Sequence, residues 1–139
     1  MDWVFLVGRI AFALIFIASG LFFHLLGGRR MAVEYARANG VPAPEAAVPL
    51  TGVLILVAGL MIVVGLWMDL AALALVVFLV PTMLLMHAFW KVDDAERRML
   101  EQVQFQKDLA LAGAALILFV AARELGDAIG IALEPALFD

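Results

Sequence analysis

The sequence predicts an all-α integral membrane protein, a four-helix bundle of antiparallel spans with short interfacial helices in its loops. Three observations predict it. Hydrophobic residues make up 66% of the 139 and charged residues only 16%, where soluble domains stand nearer one half and one quarter. Mean hydropathy is correspondingly high, at +1.09. Most direct is the run from Leu70 to Met86, which carries no charged side chain. With its flanks it matches the thickness of bilayer hydrocarbon, roughly 20 residues at about 1.5 Å each. Similar runs place spans at about residues 3–26, 48–68, 70–89 and 107–125, with polar loops at 27–47 and 91–106 and a tail at 126–139. Residues 1–139 thus form a single transmembrane domain.

The first span, Trp3 to Leu26, is apolar except for Arg9, Ser19 and His24. Gly27-Gly28 ends it and Arg29-Arg30 gives a charged stop. Its start lacks the basic residues and small-residue cleavage pattern of a signal peptide, so the span is expected to stay in place. Met31 to Ala38 has helical composition, with Glu34, Tyr35 and Arg37 on its polar side. Asn39-Gly40 then closes it, and Val41-Pro42-Ala43-Pro44 cannot continue it. This segment reads either as a short helix at the interface or as a solvated connector.

The second span, Val48 to Met68, has Pro49 in its first turn, where the missing N–H is tolerated. Gly52, Gly59 and Gly65 would weaken a soluble helix, but in lipid such residues let helices approach closely. A minimal turn at Met68-Asp69 makes the second and third spans an antiparallel hairpin. Pro81 removes the hydrogen bond to the Val77 carbonyl and bends the third span. In the polar loop, Asp93 or Asp94 can cap a new helix, and Met99, Leu100 and Val103 recur at helical spacing. That helix is expected to run unbroken into the fourth span. Leu109 to Ala122 gives only about 21 Å of helix, so Lys107 and Arg123 must snorkel. In the tail, Ile129, Ile131, Leu133, Leu137 and Phe138 are expected on the membrane surface.

Four spans put both termini and the Met68-Asp69 turn on one side, and the two long loops on the other. Arg29, Arg30, Arg37, Lys91, Arg97, Arg98 and Lys107 belong to the loop side, against Arg9 and Arg123 opposite. The positive-inside rule then places the long loops in the cytoplasm and both termini outside.

That topology brings His24, His87, Lys107 and Asp108 to one leaflet, with Trp90, Gln104 and Gln106 close by. Ionisable residues within a membrane are costly without partners. The group could form a pocket for a polar head group, a quinone ring or a proton path; otherwise the histidines simply sit among lipid head groups. Haem between His24 and His87 is disfavoured, because both lie near the interface rather than in an interior slot. No metal site is expected. The spacing lacks a Glu-x-x-His pair and a two-His-one-carboxylate set, and the absence of cysteine excludes thiolate sites and thiol redox chemistry. Arg9 lies roughly 9 Å in from Trp3 along the helix. It needs a carboxylate such as Glu124, Asp127 or Asp69, or else backbone carbonyls, lipid phosphate, an anionic substrate or a quinone carbonyl. Nucleotide-binding loops and hydrolase elbows are missing, and a net charge of −4 gives no reason to expect nucleic acid.

Several passages together resemble the DoxX family of small four-helix bacterial membrane proteins. They are Arg9 through Phe16 to Ser19-Gly20, then Asn39-Gly40-Val41-Pro42, Gly52 to Trp67, His87-Ala88-Phe89-Trp90, and Gln104 to Gly113. The resemblance rests on their order and spacing, since no one motif is specific. It implies a multi-pass protein of the bacterial plasma membrane associated with quinone-linked oxidoreductases, including thiosulfate:quinone oxidoreductase, and with redox stress. Quinone is the implied cofactor; the implied partners are the bilayer and a larger membrane complex or further copies of the chain. Two positions depart from the common pattern. Ile55 stands where members often have a glutamate, and Ala88 where several have an acid. Both losses favour an accessory or structural subunit over a quinone-reactive oxidoreductase subunit, with a small-solute transporter or lipid-binding protein as a further alternative.

Overall fold

A computed structural model describes residues 2–138, and among them no β-strand forms. The five α-helices are α1 (Asp2–Ala18), α2 (Arg29–Ala38), α3 (Pro44–Val64), α4 (Met68–Leu85) and α5 (Ala95–Leu125). Four helical segments are long and apolar enough to cross a membrane: Asp2–Leu25, Pro44–Val64, Met68–Lys91 and Ala95–Ile129. This is the expected all-α membrane bundle. Its outer surface keeps Val7, Leu14, Val57 and Ile117 exposed, as lipid-facing residues should be. α1 packs on α3, α3 on α4, and α4 most extensively on α5, whereas α1 and α5 make little close approach.

Lipid tails are as apolar as leucine, so close packing has to hold such helices together. Gly20 and Gly52 provide it where the first span crosses α3. A Cβ on Gly20 would stand 2.7 Å from the Gly52 carbonyl oxygen, and one on Gly52 would run into His24 Cβ. At this crossing the first span widens into a π-helix, Ser19–Leu25.

Several boundaries differ from the sequence reading. α3 begins at Pro44, not Val48, because proline at a first helical position forfeits no intrahelical bond. Pro49 therefore lies inside the helix. The α3–α4 turn falls at Gly65–Trp67, one turn before Met68-Asp69, where Gly65 and Trp67 adopt positive φ of 71° and 44°. α4 stops at Leu85, and residues 86–88 leave the helix before a short 3₁₀ turn, Phe89–Lys91. Asp94 caps α5 by accepting the Arg97 N–H at 2.9 Å, and the helix runs on unbroken into the membrane as expected.

The tail is tied across the end of the bundle that holds the termini. Trp67 and Met68 donate their N–H groups to the Glu134 and Pro135 carbonyls at 2.6 and 2.8 Å. Asp69, wholly buried, accepts the N–H groups of Leu70, Leu137 and Phe138. Ile129 is buried beneath, while Ile131, Leu133, Leu137 and Phe138 remain exposed. Asp139, the last residue of the expected tail, lies outside the described residues.

Candidate functional site

At the opposite end, where the two long connections lie, the spans do not close on one another. A cavity of about 490 Å³ opens between them, lined from every span and from α2. Phe16, Ile55, Phe78 and Leu79 form its apolar walls, and His24, Tyr35, His87 and Asp108 are among its polar lining. Its size lies within the ordinary range for small-molecule sites, about 300–1,000 Å³.

His87 is the centre of the polar end. Because α4 has already stopped, the imidazole stands on irregular backbone and turns toward α5. Its Nδ1 is 2.8 Å from Glu101 Oε2, and its Nε2 is 3.7 Å from Asp108 Oδ2. The side chains of His87, Glu101 and Asp108 are only 15%, 13% and 6% exposed. Lys107 Nζ closes the row, 3.4 Å from Asp108 Oδ1 and 2.6 Å from Gln104 Oε1. Seven residues, about two helical turns, separate Glu101 from Asp108, which puts both acids on one face of α5.

Tyr35 reaches the same group from α2. Its hydroxyl lies 2.5 Å from Glu101 Oε1 and 3.1 Å from the Met86 carbonyl. With one proton to give, it donates to the carboxylate. Burial, and then the carboxylate beside it, hold the Tyr35 hydroxyl well above the ordinary phenol range, because both disfavour a second negative charge. α2 is therefore the short helix rather than a plain connector, and it packs on the bundle. Ala36 is buried, Ala32 and Tyr35 line the cavity, and Arg37 pairs with Glu45 at the start of α3.

His24 is held separately. Its Nδ1 is 2.9 Å from the Ser19 carbonyl, a contact across five residues that the π-helix makes possible. A carbonyl only accepts, so Nδ1 carries the proton and, in the neutral ring, Nε2 is left as an acceptor.

The sequence-predicted residues thus divide. His24, His87, Lys107 and Asp108 line one cavity. Trp90 does not; the 3₁₀ turn carries it outward, where it is half exposed and stacks edge-on with Phe89 and Phe105 at 5.2 and 5.7 Å. Arg9 lies at the other end, 4% exposed, donating to the Ile131 carbonyl and standing 3.8 Å from the Met68 sulfur. Among the described residues it has no carboxylate partner, because Asp69 is engaged by backbone N–H groups of the tail. Arg9 therefore holds the tail, away from the cavity. Tyr35 and Glu101 are the members the sequence reading missed. Glu101 looked like one more charge in a polar loop, and only its position seven residues before Asp108 marked it.

A model of the DoxX family matches residues 4–88, more than half of the chain. The chain belongs to the DoxX family. It is a multi-pass membrane protein of that family, with the four apolar helices such a protein requires. Among curated proteins and among solved structures, no match to the chain was found. The family match ends at Ala88, beside His87, so α5 with Glu101, Lys107 and Asp108 lies beyond it. That matters for Ala88, where the resemblance leads one to expect an acid. In this chain His87 takes its carboxylates from α5 instead. Ile55, the other departure, is fully buried and forms part of the cavity's apolar wall.

Proposed function

We propose that this DoxX-family protein is a membrane-embedded accessory subunit of a redox complex, and that it holds a quinone-type molecule in the cavity between its spans. One observation carries the proposal: a cavity with apolar walls ends in a row of titratable groups, Tyr35, Glu101, His87, Asp108 and Lys107. An apolar ring suits the walls, and its polar substituents suit the end. The loose α1–α5 side offers a route from the bilayer. Quinone chemistry moves protons together with electrons. This row of side chains exchanges protons, whereas the electrons belong to a partner protein, which is why the role is accessory. The cationic long connections sit at the cavity's end of the bundle, so by the positive-inside rule the row faces the cytoplasm of a bacterial plasma membrane and both termini face outward.

A thermal-unfolding assay of the purified protein in mild detergent tests the reading. A short-chain quinone should raise the melting temperature, and His87→Ala should abolish the rise. A pulldown from native membranes with mass spectrometry of bound proteins and small molecules tests the accessory role, the expected result being a stoichiometric oxidoreductase. No quinone effect on melting, with phospholipid as the co-purifying molecule, would replace the proposal by a lipid-binding role.

A further inference from the structure

Both faces of α2 border open space. Ala32, Tyr35 and Ala36 line the cavity described above, while Arg30, Glu34 and Arg37, on the opposite helical face, line a second and more open cavity of about 530 Å³. Arg29 joins them from the start of α2, Leu26 from the end of the first span, and Glu45 from the start of α3. Three guanidinium groups meet two carboxylates there, which leaves one positive charge over. Arg30 Nε stands 3.2 Å from Glu34 Oε1, and Arg37 pairs with Glu45, but both pairs are exposed, and exposed pairs hold weakly. Arg29 is exposed and has no acid partner among the described residues. Beside this charge lies apolar surface. Leu26 and Phe22, in the last turns of the first span, are 54% and 56% exposed.

We propose that this second cavity binds the phosphate of an anionic phospholipid, with one acyl chain running past Leu26 and Phe22. A phosphodiester carries the single negative charge that the cavity lacks, and its oxygens match the forked N–H groups of arginine. The apolar flank decides between a lipid and a free phosphate ion, which would leave Leu26 and Phe22 uncovered. A zwitterionic head group would return a positive charge to the arginines, whereas an anionic one is attracted by each of them. The site goes beyond quinone binding and does not depend on it, because α2 separates the two cavities.

Native mass spectrometry of the full chain in mild detergent counts bound lipid and tests the site. Apparent affinity is measured for phosphatidylglycerol and for phosphatidylcholine, and bound phosphatidylglycerol is challenged with inorganic phosphate. Phosphatidylglycerol should bind the more tightly, and Arg29→Gln should weaken it about fivefold, the worth of one arginine near a lipid surface. Arg30→Gln should act likewise, so the test stands if one of the two variants fails to fold. Arg97→Gln removes a cation at the same end of the bundle but outside the cavity, and should leave the affinity unchanged. Equal binding of the two lipids, or a loss in Arg97→Gln matching that in Arg29→Gln, would overturn the proposal in favour of general surface charge. Displacement of phosphatidylglycerol by inorganic phosphate at equal concentration would assign the cavity to a free anion and overturn the lipid.

Discussion

The Tyr35–Glu101 contact joins α2 to α5 and can be tested without any ligand. Glu101 is 13% exposed and accepts from Tyr35 at 2.5 Å and from His87 at 2.8 Å. Hydrogen bonds to a charged group contribute about 1.5–3 kcal/mol each, so Tyr35→Phe should cost about that much. Glu101→Gln keeps one acceptor oxygen and turns an amide N–H₂ toward the other donor, so its cost should be larger, about 2–4 kcal/mol. Since both variants break the same bond, the double variant should cost about 1–2 kcal/mol less than the two single costs added. Reversible unfolding in mixed detergent micelles measures all three. Tyr35 is the only tyrosine in the chain, so near-ultraviolet tyrosinate absorbance reports it alone. Folding raises its pKa, so the resulting stability is complete below the unfolded value near 10. It is lost as pH rises from there through the folded value. Wild-type protein should therefore ionise its tyrosine at clearly higher pH than free tyrosine does, and Glu101→Gln should bring that pH down. Additive single costs, or an unmoved titration in Glu101→Gln, would refute the linkage.

Three further outcomes follow from the packing. Gly52→Ala places a methyl group against His24 Cβ, so it should destabilise the protein by about 1–3 kcal/mol and weaken ligand binding, both read in the same melting assay. Asp69→Ala removes the acceptor for the Leu137 and Phe138 N–H groups; limited proteolysis should then cleave the tail faster than in wild type, with the bundle left whole. Ala43 is exposed and holds a positive φ of 46°, so Ala43→Gly should raise stability by up to about 1 kcal/mol in the same unfolding assay.

Class, number of spans and pairing follow from composition and length. An uncharged run such as Leu70 to Met86 has one comfortable environment, and short turns leave antiparallel neighbours no other arrangement. Local chemistry also narrowed the α5 cap to Asp93 or Asp94 and marked glycines where helices approach. Element ends were less legible, because prolines at 44 and 49 signal a start without saying which of them begins the helix.

Partnership was decided only in three dimensions. By sequence Arg9 needs a carboxylate such as Glu124, Asp127 or Asp69, or backbone carbonyls or an anionic ligand, and the chain order does not choose among them. In the fold Arg9 and Asp69 each spend their hydrogen bonds on the backbone of a tail that is more than sixty residues from Asp69 in sequence. Trp90 stands three residues from His87, yet one irregular turn sends the indole outward and the imidazole inward. The acid missing at Ala88 returns from α5 as Glu101, fourteen residues from His87. Hydropathy and helical period are properties of neighbours along the chain. Hydrogen bonds are satisfied by whichever group packing brings within about 3 Å, and that choice belongs to the assembled bundle.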